Sequence, residues 1–402
     1  MKMRISLMAV FGVICMILFM GCGKSGSESG AKGATAAAPA AAAPAAPAPA
    51  AKEKVDLTAF ALAAATPLSA EDAAIYKTIE AKSSNPNKVI WRHGTVGRNL
   101  DENPNARTDR QLFIEIKKRL GDKVEFQFYF GGTLGTSADA ILGGLQARSF
   151  ESYFYNVGAF AEYTKAFLPL DVMYLVPDEI SGIDICEGEP GEIMRQKCIE
   201  DSGLNVLYYA AIGMRHITNS KKPIKTPDDL KGMKIRTQNN PLHIMAMQEL
   251  GASPTPIAFA ELFTALQQGV VDGQENPIIN IYDMNYGEVQ KYMSITNHLY
   301  TAGATVVNDK WLKSQSAEFQ KAVKDSLVIT NAYNKSESQN VESKLLSQLG
   351  KQMEVYVLTD AENKQFKDIS MRTWDKAAEK MGVDYFNKVR ASMDKVIAAK
   401  KK

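Results

Sequence analysis

Between Val89 and Val157 the spacing of apolar residues switches back and forth between the periods of strand and helix. This alternation restricts the fold of the 402-residue chain more than any other feature. Val89–Arg92 is a short strand-like run that ends at Gly94. Leu112, Phe113, Ile116 and Leu120 put a helical stripe on Thr108–Leu120, which stops at Gly121. Lys123–Phe130 then alternates, with Val124, Phe126, Phe128 and Phe130 on one face and Glu125, Gln127 and Tyr129 on the other, the pattern of a half-buried strand. A glycine turn over Gly131–Gly135, a helix over Ser137–Ala147 and a strand around Ser152–Val157 complete the series. Strand, helix, strand, helix, strand predicts an α/β fold with parallel pairing.

The theme returns downstream. Asn205–Ile212 and Met233–Thr237 read as strands, and Pro241–Leu250 and Phe259–Gln268 as amphipathic helices ended by Gly251 and Gly269. Ser316–Leu349 is one helical run without glycine or proline, long enough to cross two lobes and brace them. Two α/β lobes with chain crossings between them predict a clamshell with a cleft.

The first 87 residues read differently. Lys2 and Arg4 precede Ile5–Met20, an almost wholly apolar stretch too short for the roughly 20 residues of a spanning helix and suited to a signal-peptide core. Leu18-Phe19-Met20-Gly21-Cys22 resembles a bacterial lipobox, which predicts a signal peptide over 1–21, cleavage after Gly21 and lipid on Cys22. Residues 22–51 are a Gly, Ser, Ala and Pro tether without the large apolar side chains a core needs. Gly23-Lys24-Ser25 ends like a P-loop, but Leu18 stands where that motif requires glycine, and the reading is discarded. Residues 52–87 form an N-terminal extension with a short helix over Ala70–Lys82 and no assignable role.

Composition excludes several functions. Against 47 basic residues stand 45 acidic ones, and removing Lys2 and Arg4 takes the net charge from +2 to zero, which argues against a nucleic-acid partner. Four cysteines and four histidines argue against a zinc cluster or other metal site. No Gly-x-Ser-x-Gly or His-Glu-x-x-His occurs, so a periplasmic hydrolase lacks its nucleophile or metal motif.

From Ile212 to His298 the order and spacing of motifs become specific. Gly213-Met214-Arg215 precedes Lys222-Pro223-Ile224 and Asp228-Asp229-Leu230-Lys231-Gly232-Met233-Lys234-Ile235-Arg236. Leu250-Gly251-Ala252-Ser253-Pro254-Thr255-Pro256, Phe259-Ala260-Glu261-Leu262-Phe263 and Val271-Asp272-Gly273-Gln274-Glu275-Asn276-Pro277 follow. This stretch resembles the DctP-type solute-binding subunit of tripartite ATP-independent periplasmic (TRAP) transporters, with weaker similarity over roughly 88–390. The resemblance implies a two-lobed periplasmic binding protein clamshell, with 88–211 plus about 302–341 as one lobe and 212–301 plus about 342–402 as the other. It implies an exported monomer that closes on a small organic acid and delivers it to TRAP membrane subunits, with no cofactor and no chemistry on the ligand. A lipoprotein of the same fold feeding a sensor kinase is the alternative.

The resemblance also nominates residues. Ile235 takes the core face of its strand, leaving Arg236 on the other; it stands at the position of the family's carboxylate-clamping arginine, whose planar fork matches two carboxylate oxygens. Arg215, Phe259 and Asn156 match positions where relatives place a cation, an aromatic ring and a polar group against the ligand. Asn276 is held extended by Pro277, and its amide can donate to a carboxylate or accept from a hydroxyl. Thr95 and His93 follow the first strand, at the rim of the expected cleft. The chain departs from its relatives at Ser149–Tyr153 and at Asp184–Asp201, an inserted segment whose Cys186 and Cys198 favour a disulfide over free thiols or metal ligation in an exported protein.

Overall fold

In the computed structural model, residues 67–97, 103–338 and 342–400 are described; the export signal, Cys22 and the tether lie outside them. The strands are β1 (Val89–Thr95), β2 (Val124–Tyr129), β3 (Ser152–Asn156), β4 (Leu204–Asn219), β5 (Lys234–Thr237), β6 (Ser253–Pro256), β7 (Gly273–Pro277), β8 (Tyr292–Asn308) and β9 (Glu354–Val357). They form one mixed sheet in the order β2-β1-β3-β8-β4-β7-β5-β6, with β9 paired to β8. At one end β1 pairs in parallel with β2 and β3; at the other β5 pairs in parallel with β6 and β7. The long antiparallel pair β4–β8 joins the two parallel ends into a two-lobed clamshell.

Helices α1 (Ala70–Lys77), α2 (Pro104–Leu120), α3 (Ala138–Gln146), α4 (Glu179–Glu187), α5 (Glu189–Ser202) and α6 (Pro241–Glu249) connect these strands or pack beside them. Helix α2 begins earlier than its apolar stripe predicts, because Pro104 occupies the first turn and the Asn103 side chain accepts from Asn105 N. Trp91 of β1 centres the first core, edge-on to Phe113 at 5.6 Å and to Trp311 at 5.2 Å. Phe319 brings the helix Ala317–Ser338 onto the same cluster, and a buried Arg107–Glu337 ion pair at 2.5 Å ties that helix to α2. The predicted helical run over Ser316–Leu349 is thus seen as Ala317–Ser338 and Glu342–Leu349, on either side of 339–341. A second core, around Ile217, Ile235, Met247, Leu299 and Phe366, stands under the β5 end.

The extension before β1 has a place in this fold. Asp72 of α1 pairs with Lys118 of α2 at 2.5 Å, and Ile79 is buried in the Trp91 cluster. Ser83 N donates to Glu125 Oε2 at 3.0 Å, and Glu80 Oε1 accepts from Phe128 N at 3.2 Å. These contacts cover edge strand β2, which is why Glu125, on the polar face of the alternating run, is buried.

Three expectations need correction. β4 continues past Ile212 to Asn219. The Asp184–Asp201 segment is mostly helical, within the α4–α5 pair, and not an inserted loop. Cys186 and Cys198 are free thiols, each sunk in the apolar cluster that holds Ile183, Ile185 and Met194. Close packing does the work expected of a bridge: a Cβ on Gly191 of α5 would lie 1.8 Å from the Cys186 carbonyl oxygen. Burial pushes the Cys198 thiol up to about 11 and that of Cys186 higher still, so neither is a reactive thiolate at neutral pH.

Candidate functional site

A cleft of about 660 Å³ opens where the carboxyl ends of strands from both halves of the sheet converge, the location that open α/β sheets favour for ligands. One wall comes from the ends of β1 (Thr95–Gly97) and β3 (Phe154–Asn156), the start of α2 (Asn105, Ala106) and the start of α3. The turn Gly131-Gly132, both at positive φ, docks on the end of β1 by donating to Gly97 O and Thr95 O at 2.7 and 3.0 Å. The facing wall comes from Arg236 of β5 and Gln238 and Asn239 just after it, from Pro256–Phe259, and from Asn276 and Asn280.

Arg236 is 2% exposed. Its Nε and Nη2 both donate to the Ile257 carbonyl, at 2.9 and 2.7 Å, which fixes the guanidinium plane. Nη1 finds no hydrogen-bond partner among the described residues. The side-on fork expected from the sequence is therefore committed to the backbone, and the end of the guanidinium is what remains to bind. Burial lowers its pKa below the ordinary arginine value, and neighbouring Arg215 acts in the same direction. Burying a cation is costly unless its donors are paired, and Nη1 is the donor of Arg236 that the described residues leave unpaired.

Asn276 also lines the cleft, with Asn280 Nδ2 donating to its Oδ1 at 3.3 Å one helical turn on. Phe259 lines it as a half-buried ring in a 3-10 turn that precedes the helix Leu262–Gln267. Thr95 Oγ1 accepts from Gly97 N at 3.1 Å, and Asn156 Nδ2 donates to Gln238 Oε1 at 3.0 Å across the cleft. The structure thus brings together Arg236, Asn276, Phe259, Asn156 and Thr95.

It does not bring in Arg215 or His93. Arg215 is fully buried behind the cleft, paired through Nε and Nη2 with Glu275 and donating from Nη1 to Thr301 Oγ1 at 3.2 Å. The β4–β7 register, Arg215 opposite Pro277 and Ile217 opposite Glu275, makes that pairing local on the sheet. His93 is equally buried, with Nδ1 2.8 Å from Ser152 Oγ and Nε2 3.3 Å from Asp109 Oδ2. Arg215 has its partners inside the protein, and His93 is fully buried beside Ser152 and Asp109, so neither reaches the rim.

Glu275 anchors a polar layer that sequence reasoning missed. His298 Nε2 lies 3.2 Å from its Oε2, and His243 Nδ1 lies 3.6 Å from its Oε1, an ion-pair distance beyond hydrogen bonding. His243 Nε2 in turn meets Asp171 Oδ1 at 3.0 Å, and Asn240 Nδ2 donates to Asp171 Oδ2 at 2.8 Å. Burial pushes the Glu275 carboxyl up, but Arg215 and the two histidines outweigh it and hold it well below the usual carboxylate range. Burial likewise pulls His243 down, yet the facing Asp171 and Glu275 carboxylates raise it overall. Among the described residues no group of three His, Cys, Asp or Glu side chains is arranged to hold a metal ion, and no helix is long and apolar enough to cross a membrane.

Residues 104–381 match the bacterial extracellular solute-binding protein, family 7 (DctP). The 2,3-diketo-L-gulonate-binding periplasmic protein YiaO of Escherichia coli K12 is 33% identical over 253 residues, 63% of this chain and 76% of its own. The C4-dicarboxylate-binding periplasmic protein DctP of Rhodobacter capsulatus is 30% identical over 226 residues, 55% of this chain and 67% of its own. Among solved structures, the sugar acid binding protein DctPAm of Advenella mimigardefordensis in complex with galactonate superposes with a TM-score of 0.72 at 25% identity, covering 78% of this chain and 100% of that one. A TRAP periplasmic solute binding protein of Roseobacter denitrificans with bound β-D-glucuronate gives 0.70 at 26% identity, covering 75% and 99%. Family, sheet and cleft agree: this chain belongs to family 7 of the bacterial extracellular solute-binding proteins, the DctP type of the TRAP class.

Proposed function

We propose that the protein captures a small organic acid in the cleft between its lobes, seats the carboxylate on the free end of Arg236, and delivers the acid to TRAP membrane subunits. The observation that carries this reading is the unpartnered Nη1 of Arg236, a buried cation in the cleft wall. Thr95, Asn156, Phe259 and Asn276 complete the ligand environment in this reading, and Arg215 supports it only from behind.

The lining also narrows the ligand. Arg236 is the one cation among the described lining residues, whereas Asp139, Glu162 and Asp283 are acids and Asn105, Asn239, Asn276, Asn280 and Asn285 are amides. One cation suits one carboxylate. Amides both donate and accept, as hydroxyl groups require. A hydroxylated monocarboxylic acid therefore fits better than a dicarboxylate, and the galactonate and glucuronate held by structural relatives are of that class. A thermal-shift screen of sugar acids against dicarboxylates tests this: an acid at 100 times its dissociation constant adds ~2.7 kcal/mol of stability. A larger shift with succinate than with any sugar acid would overturn the ligand class.

We further propose that the mature protein faces the periplasm on a lipid carried by Cys22, with residues 22–51 as its tether. Cys22→Ala should release it from membranes or stall its processing; a processed variant that stays membrane-bound rules the anchor out.

A further inference from the structure

Gln238 lies two residues beyond Arg236, just past the end of β5, and both residues line the cleft. It is 8% exposed, and its Nε2 has no hydrogen-bond partner among the described residues. The orientation of this amide is set by a chain of bonds in which each direction is forced. A backbone N–H can only donate, so Gly158 N, 2.9 Å away, fixes Asn156 with Oδ1 toward the backbone. The Nδ2 of Asn156 is then the atom facing Gln238, and because it too can only donate, Gln238 must present Oε1 to it, at 3.0 Å. What Gln238 has left is its NH₂ group. Of the buried atoms without partners at this end of the sheet, which include Thr237 Oγ1, two belong to residues that line the cleft, Nη1 of Arg236 and Nε2 of Gln238, and no acceptor among the described residues meets either.

We propose that Gln238 is a specificity-determining residue whose amide N–H binds a second oxygen acceptor of the ligand, beside the carboxylate held by Arg236. Asn156 is the positioning residue that aims it. This rests on the carboxylate reading of the cleft. It deepens that reading by requiring an acid that carries a lone-pair oxygen next to its carboxylate, a 2-hydroxy or 2-oxo acid, and by discriminating against acids that have only hydrocarbon there. Asn156, whose carbonyl oxygen is occupied by Gly158, acts on the ligand through Gln238.

Calorimetry with D-galactonate, D-glucuronate and succinate on the full mature chain tests this. Gln238→Glu keeps the acceptor that Asn156 needs but turns a carboxylate oxygen toward the ligand, and should weaken the best-bound acid at least 100-fold. Gln238→Met removes the donor at similar size and should cost about 10-fold. Asn156→Ala should cost about 5-fold in the wild type and less than 2-fold on the Gln238→Met background, a coupling that an independent ligand contact would not produce. Unliganded melting temperatures within ~2 °C of wild type show that the variants fold; a larger fall makes Gln238 structural and overturns the proposal. Wild-type affinity in Gln238→Glu, with Arg236→Lys still weakened, overturns the role of Gln238 and leaves the carboxylate reading standing. Binding of none of these acids to the wild type overturns both.

Discussion

Arg215 and Arg236 are both almost wholly buried, and Arg215 helps to hold the pKa of Arg236 down, yet their surroundings are opposite. Arg215 is surrounded by acceptors: the Glu275 carboxylate, the Glu275 carbonyl and the Thr301 hydroxyl. Arg236 has a single carbonyl to hold and one nitrogen to spare. What separates these two cations is therefore the inventory of partners and not depth of burial. A saturated guanidinium can be removed only by disrupting its neighbourhood, whereas, on the function proposed above, an unsaturated one can be altered at the expense of the ligand alone.

The contrast can be broken most forcefully at Arg215. Arg215→Met leaves Glu275 buried without its main counter-charge, and losses of ~3–5 kcal/mol are typical of such cuts. The unliganded melting temperature should fall by about 10 °C; an unchanged value would place Arg215 among the spare charges with Arg236. Arg236→Lys should do the reverse. Its melting temperature without ligand stays near wild type, while affinity for the acid falls by ~2–5 kcal/mol, roughly 30-fold to several-thousand-fold, because an ammonium cannot grip both the Ile257 carbonyl and a carboxylate.

The layer behind the cleft sharpens the comparison through pH. Glu275 is held below its ordinary range, so its contribution is present above about pH 4.3 and is lost as pH falls toward its folded value. His243 is raised, so the stability its charge supplies is complete below about pH 6.5 and disappears as pH rises through the folded value. His243→Gln should cost ~1.5–3 kcal/mol at pH 6 and flatten the alkaline side of the stability profile. A variant that keeps the wild-type slope above pH 6.5 removes His243 from that role. The smallest expected effect is none: a reductant should leave the melting temperature unchanged, and Cys186 and Cys198 should both alkylate once the unreduced chain is denatured. A melting shift on reduction would restore the bridge.

Where apolar residues recur with a clear period, the sequence was legible. The stripe of α2 and the alternation of β2 were of this kind, although α2 starts before its stripe and both elements are covered by neighbours on their polar faces as well. Strand β8 went unread because it is buried on both faces over most of its length, and its Thr, Ala, His and Gly303 show no period at all. Arg236 was legible because its strand, its core-facing Ile235 and its motif coincide. Arg215 was misjudged because Glu275, its partner, is 60 residues away and becomes a neighbour only through the β4–β7 register. Cys186 and Cys198 fit a rule about exported proteins, but the fold buries each sulfur among apolar side chains instead. Gln238 was overlooked inside Thr237-Gln238-Asn239-Asn240, a polar run that resembles an ordinary turn before α6, where Asn240 does serve as the helix cap.

The paired strands β4 and β8 run through both halves of the sheet, and their ladder slips register between Val206 and Tyr208, Ala211 and Gly213, and Arg215 and Ile217. Bulges of this kind bend and twist a strand locally. The two lobes are thus leaves of one continuous spring, and moving them apart must flex hydrogen-bonded β-structure at those slips in addition to turning the bonds of any connecting loop. The stiffness of that ladder, as much as the contacts at the end of β5, sets how much of the ligand's interaction energy is available as affinity and how quickly the clamp recoils when the acid leaves.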